Sequence, residues 1–261
     1  MTNIIRPHAP QVHLVLPDPH AHPEFSNQRA DWVGKLILDL KPDVVINLGD
    51  MYDFPSLASY DKSKKSFWGK TYLNDLNAGL DFDERIWDPI RKAKKRRPHS
   101  VFIEGNHENR LKKAIDVQSE LDGIISFDQL DLNRNYDEVI EYEGDTPGTI
   151  EIDGVHYSHY FISGVLGRPI GGEHQAYSLI TKEFVSCTCG HTHTTDWSVR
   201  TTVSGKRVMG LVAGVYQDYD ATWAGERNKM WWRGVVIKRN VEDGAYDPQW
   251  VSIDQLRKEY S

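Results

Sequence analysis

The 261-residue chain predicts an α/β fold built from two packed sheets. Three observations carry that expectation. Strand-like and helix-like segments alternate over residues 11–118, the pattern shifts to short strands after about residue 137, and no repeat, low-complexity tract or linker interrupts the chain. Alternation of this kind gives a parallel sheet with helices on its faces. A chain this long buries roughly three quarters of its extended surface, enough for one substantial core. A single domain over residues 1–261 is expected.

The elements follow in order. Residues 11–16 are apolar and β-rich and stop at Pro17-Asp18-Pro19. Over 27–40, Ala30, Val33, Leu36, Ile37 and Leu40 recur at helical spacing, with Asn27 in the cap position. Residues 43–48 read as a second strand, stopped by Gly49. A polar insertion over 56–97 is expected to be helical from about Thr71 until Pro98, with Pro89 kinking or breaking it. Residues 100–104 form a third strand ending on Gly105, and 108–118 a helix. Strands are then predicted over 138–142, 149–157, 185–189, 197–202, 207–213 and 234–237, with a helix over 174–184 and a hairpin turn at Ser204-Gly205. The motif-bearing core covers 11–196, and C-terminal strands occupy 197–261.

Charged residues make up 26% of the chain and apolar residues 39%, an ordinary globular balance. No apolar run approaches the roughly 18 residues of a membrane span. Residues 1–10 lack the apolar stretch of a signal peptide, so a cytoplasmic location away from membranes is expected. Cys187 and Cys189 are the only cysteines. Strand alternation reads them as a buried thiol and its neighbour rather than a bridge, which fits a reducing compartment. The balance of 31 basic against 38 acidic residues argues against a general nucleic-acid coat protein.

Charge is uneven, however: residues 51–113 carry 14 Lys and Arg against 9 Asp and Glu. The densest run is Arg91-Lys92-Ala93-Lys94-Lys95-Arg96-Arg97; a looser one holds Lys62, Lys64, Lys65 and Lys70, with Phe67 and Trp68 among them. They read either as a solvated helix face with a polar loop or as a surface for phosphate-rich substrates.

Five short clusters fall just beyond strand-like segments: Asp18-Pro19-His20, Gly49-Asp50-Met51-Tyr52-Asp53, Gly105-Asn106-His107-Glu108, Ser158-His159 and Gly190-His191-Thr192-His193. Ligands of open α/β sheets bind outside the carboxyl ends of the strands, so loops far apart in sequence can meet at one point. Their pooled donors are carboxylate oxygen, amide oxygen and imidazole nitrogen, a set that suits manganese, iron or zinc better than calcium or magnesium. The glycine before three of the clusters allows a sharp turn.

Taken together and in this order, the clusters resemble the calcineurin-like metallophosphoesterases, in particular their small bacterial and bacteriophage members. That resemblance implies a four-layer α-β-β-α sandwich, two mixed sheets flanked by helices. It also implies two divalent ions, manganese foremost, with iron, zinc or nickel as the others. Asp18, His20 and His193 would hold one ion, Asn106, His159 and His191 the other, and Asp50 would bridge them. A metal-activated water would attack phosphorus, His107 would protonate the leaving oxygen, and Asp53 would hydrogen-bond His107 and raise its basicity. Protein phosphatases of this superfamily carry Arg-Gly after the second aspartate. Here Asp53 is followed by Phe54-Pro55, which argues against a phosphoprotein substrate.

Several positions carry two readings. His156 competes with His159; alternation places them on opposite faces, and His159 lies nearer the strand end. His22 beside Pro23 reads as a solvated loop histidine or a further site residue. Arg110 reads as a grip for a phosphate oxygen or as an ordinary first-turn helix residue. The spacing of one residue in both Cys187-Thr188-Cys189 and His191-Thr192-His193 does not fit a structural zinc site. The Trp-rich segment 223–232, including Trp231 and Trp232, reads as core packing or as a base-stacking surface. The expected activity is hydrolysis of a nucleotide or nucleic-acid phosphodiester. The alternatives are a small-metabolite phosphomonoesterase and a non-catalytic metal-dependent binding protein.

Overall fold

The computed structural model describes residues 10–59, 64–94 and 96–261. Lys62, Lys95 and the first nine residues, on which parts of the charge and leader readings fall, lie outside the described residues.

The elements are β1 (Gln11–Leu16), α1 (Gln28–Leu40), β2 (Val44–Asn47), α2 (Tyr72–Lys92), β3 (His99–Ile103), α3 (Arg110–Val117) and β4 (Glu138–Ile140). There follow β5 (Thr149–Ile152), β6 (Val155–Ser158), β7 (Ile162–Ser163), β8 (Arg168–Pro169), α4 (Gln175–Glu183), β9 (Ser186–Cys189) and β10 (Thr195–Thr201). The chain closes with β11 (Arg207–Ala213), β12 (Gly234–Glu242), β13 (Ala245–Ser252) and α5 (Ile253–Tyr260). A six-stranded sheet has the order β13-β12-β1-β2-β3-β4, with β1 to β4 parallel. β12 runs antiparallel to both β1 and β13. The five-stranded sheet β10-β11-β9-β6-β5 is also mixed.

Strand alternation sorts the apolar side chains into layers. Leu14, Leu16, Val45 and Phe102 face α1 and α2. Val15, Ile46, Val101 and Ile103 face Val155, Tyr157 and Leu211 of the second sheet. The outer face of that sheet packs Cys187, Cys189 and Val212 on Ala176 and Leu179 of α4. The result is the expected four-layer sandwich.

Four expectations change. Pro89 lies inside α2, which continues to Lys92 and ends well before Pro98. The proline frees the Arg85 carbonyl, and that side of α2 lies against Gly34 of α1, where a Cβ would stand 2.7 Å from the Ile86 carbonyl oxygen. The segment 149–157 is a hairpin, β5 to β6, turning at Asp153 (φ 51°) and Gly154 (φ 80°). Cys187 and Cys189 remain free thiols, yet both face α4, because residues two apart on a strand share a face. Asn27 precedes α1 without capping it; its amide donates instead to the Ala78 carbonyl and to Asp81, joining α1 to α2.

Candidate metal centre

The five clusters converge at the carboxyl ends of β1, β2, β3, β6 and β9, where the two sheets face each other. The turns that carry them are unusual. Asp18, His20, Asp50, His191 and His193 all sit at positive φ, between 41° and 69°, a region that L-residues rarely occupy. His191 and His193 therefore lie on a turn beyond the end of β9. Left-handed backbone at so many polar residues is strain of the kind concentrated at functional sites.

Three groups of close-set donors result; one joins His20 to Asp53 and His107, and the other two are the donor sets the resemblance implies. In one of these sets, His20 Nε2 stands 3.1 Å from His193 Nε2, and His193 Nε2 stands 3.3 Å from Asp18 Oδ2. In the other, His159 Nε2 is 3.0 Å from Asn106 Oδ1, 3.2 Å from His191 Nδ1 and 3.3 Å from Asp50 Oδ2. The same Asp50 oxygen lies 4.0 Å from His20 Nε2, so Asp50 joins the sets. Two donors each about 2.1 Å from one ion and 90–110° apart are separated by about 3.0–3.4 Å. The spacings within each set match that figure, and His/Asp/Asn donors suit a divalent transition metal.

Hydrogen bonds behind the donors set their orientation. His159 Nδ1 donates to the Leu48 carbonyl at 2.8 Å, turning Nε2 inward. Asp53 Oδ1 accepts from both His20 Nδ1 at 3.1 Å and His107 Nδ1 at 2.9 Å. Burial works against the Asp53 carboxylate, but these two imidazoles hold it well below its usual range. Burial likewise opposes charge on His159, yet Asp50 and Asp18 raise it to about 9. Burial lowers His191 and His193 to about 3, the neutral form in which a ring nitrogen can ligate. For His107 the balance is downward: burial and the Arg110 guanidinium, 2.9 Å from Nε2, outweigh the upward pull of Asp50 and Asp53.

His159 prevails over His156, which sits on β6 opposite Glu151 and Cys187, away from the centre. His22, read either as solvated or as a further site residue, turns inward to 3.9 Å from Asp53. Arg110 binds the Asp53 carbonyl at 2.7 Å as well as His107. Two supporting residues escaped the sequence reading. Glu108, quoted within its cluster without a role, accepts from the backbone N–H of Asp50, Tyr52 and Gly105 at 2.8–2.9 Å, tying two ligand turns together. Arg29, wholly buried, donates to the carbonyls of Pro19 and His20 and so pins the first ligand turn. Its signal was available, since it falls four residues before Val33 on the apolar stripe of α1.

The backbone around the carboxylates leaves no spare room. A Cβ on Gly190 would stand 2.1 Å from Asp18 Oδ1, and one on Gly105 2.2 Å from Asp50 Oδ1. Neither glycine has positive φ, so close approach explains them, whereas Gly49, at φ 90°, serves the turn. Asp18 Oδ1 is buried against Gly190 without a hydrogen-bond partner, which leaves Oδ2 turned toward His193 among the donors. Gly190→Ala is expected to push Asp18 aside and weaken metal affinity at least 10–100-fold. Metal titration followed by calorimetry checks this, and unchanged affinity would refute the cradle.

Beside the centre lies a cleft of about 450 Å³, reached past His107 and Asp53. The dense basic run does not line it. Arg96 and Arg97 line a separate hollow with Pro42 and Pro98, at the opposite end of the parallel strands. Arg97 is also spent on Ser100 and Asp137 and on the face of Trp87. From the looser run, Lys64 and Lys70 reach the cleft. The Trp-rich segment divides: Trp232 packs between the sheets, Trp231 stands edge-on to His193 at 4.4 Å, and Trp223 lines the cleft 58% exposed.

Fold and centre together define an α/β two-sheet sandwich with a buried His/Asp set fit for metal ions at its strand ends. No protein-family model matches the chain, and no curated protein matches it either. Among solved structures it is similar to TT1561 of Thermus thermophilus, over 92% of this chain and 99% of that one, at 10% identity and a TM-score of 0.38. None of the helices among the described residues is long and apolar enough to cross a membrane.

Proposed function

We propose that the chain is a calcineurin-like metallophosphoesterase, a dinuclear-metal hydrolase of phosphate esters acting on a nucleotide or nucleic-acid phosphodiester in the cytoplasm. The observation that carries this reading is the Asp50 carboxylate, whose Oδ2 lies within 4.0 Å of ring nitrogens from both donor sets. Asp18, His20 and His193 would hold one ion, Asn106, His159 and His191 the other, with Asp50 shared. When bound, such a pair supplies Lewis acidity and a water nucleophile usable at neutral pH.

The remaining chemistry falls to the chain. His107 faces the cleft from beside Asp50, with Nε2 3.8 Å from Oδ2, and Asp53 holds the ring by Nδ1. Once protonated at Nε2, which otherwise accepts from Arg110 at 2.9 Å, the ring would pass that proton to the departing oxygen. Arg110, touching the same nitrogen, stands where a non-bridging phosphate oxygen approaching His107 would meet a guanidinium. His107 and the Asp53 that holds it are the features that a pure binding protein would not need.

The test compares bis(p-nitrophenyl) phosphate with p-nitrophenyl phosphate, with Mn²⁺ and after chelation. Diester turnover abolished by chelator and restored by Mn²⁺, with two ions bound per chain, is the expected outcome. Monoester turnover alone would replace the diester reading. Two bound ions with no turnover of either ester would argue for a binding role.

A further inference from the structure

The cleft beside His107 has two unlike walls. On one side Phe25 and Tyr219 stack at 3.7 Å and 6° between ring planes, and Phe25 remains 39% exposed. This wall is anchored to the centre, since the Tyr219 hydroxyl donates to the His20 carbonyl at 2.7 Å. Trp223 continues it, linked through Trp231 at 5.7 Å to the imidazole of His193. The other side carries Lys64, Lys70 and Arg110. Open aromatic faces beside the centre are surplus to gripping a phosphate, and cations beyond Arg110 are surplus to gripping one.

We infer that this cleft holds a single-stranded nucleic acid. One base lies on the Phe25–Tyr219–Trp223 wall, and the phosphates flanking the scissile one meet Lys64 and Lys70. The inference deepens the phosphodiesterase reading and rests on it. Aromatic platforms combined with a cationic track are how proteins hold single strands without reading sequence. A duplex keeps its bases stacked on one another and offers no free ring face to the wall.

The test measures binding apart from turnover. Anisotropy of a fluorescein-labelled short oligothymidylate is recorded in chelator, so that the strand stays intact, against an abasic strand of equal length. Oligothymidylate is expected to bind about tenfold tighter than the abasic strand, a gap within the range of one stacked base. That gap closes in Phe25→Ala/Trp223→Ala and survives in Trp223→Phe. In Lys64→Gln/Lys70→Gln the slope of log Kd against log salt falls by about 1.4, near 0.7 for each lost phosphate contact. Equal affinity for the two strands, a gap untouched by the aromatic double variant, or tighter binding of duplex would overturn the inference. Failure of the phosphodiesterase reading looks different: strand binding intact, with no chelator-sensitive hydrolysis of the p-nitrophenyl esters.

Discussion

Asp50→Ala is expected to abolish metal-dependent phosphodiester turnover, lowering kcat by at least about 10³, the equivalent of some 4 kcal/mol of transition-state stabilisation. Through a single oxygen, Asp50 reaches the inward nitrogens of both donor sets, 3.3 Å from His159 Nε2 and 4.0 Å from His20 Nε2. Its other oxygen accepts the His107 backbone N–H at 2.8 Å, so the variant also loosens the turn that presents His107. Burial opposes its charge, but His107 and His159 hold the carboxylate well below its usual range, so the native centre keeps it ionised. Elemental analysis after dialysis should find fewer than two ions per chain in the variant. Circular dichroism should find the fold retained, because the side chain fills a polar centre and not the apolar layers. Full occupancy with normal turnover would remove Asp50 from the mechanism.

His107→Ala is expected to keep both ions and lose about 10²–10⁴ in kcat, the usual worth of a placed proton donor. The residue contributes no atom to either donor set; its nitrogens face Asp53 and Arg110. The loss should depend on the leaving group. p-Nitrophenolate departs readily without a proton, so its ester should suffer least, and an alkyl or nucleoside oxygen should suffer most. Equal losses across leaving groups would assign His107 a positioning role, and no loss at all would exclude it from the chemistry.

Much of the centre was legible because its chemistry is local in the chain. Asp18-Pro19-His20, Gly49-Asp50, Asn106-His107, His159 and His191-Thr192-His193 each pair a donor with a strand end, and strand ends can be read from apolar runs that stop at glycine or proline. Some legible signals went unread. Asp153-Gly154 and Asp243-Gly244 are both hairpin dipeptides. They close β5–β6 and β12–β13, and the two turns meet through a Gly244 N–H to Asp153 carbonyl bond of 2.8 Å. The second of them predicts β13, which the sequence reading left unplaced.

The sequence by itself determined which residues could form a metal centre, the order in which strands deliver them, and the layered α/β class, since period-2 and period-3.6 burial are properties of neighbouring residues. Only the tertiary structure decided what surrounds that centre. Charge density along the chain favoured Arg91 to Arg97, but α2 returns antiparallel to the strands and leaves that run at the far end of the sheet, while sparser Lys64 and Lys70 reach the cleft. Tyr219 rests on His20 although 199 residues separate them, and Arg29 grips the carbonyls of the first ligand turn from inside a helix. Such contacts depend on how whole elements pack, because a side chain's partners across a core are set by topology and not by spacing along the chain.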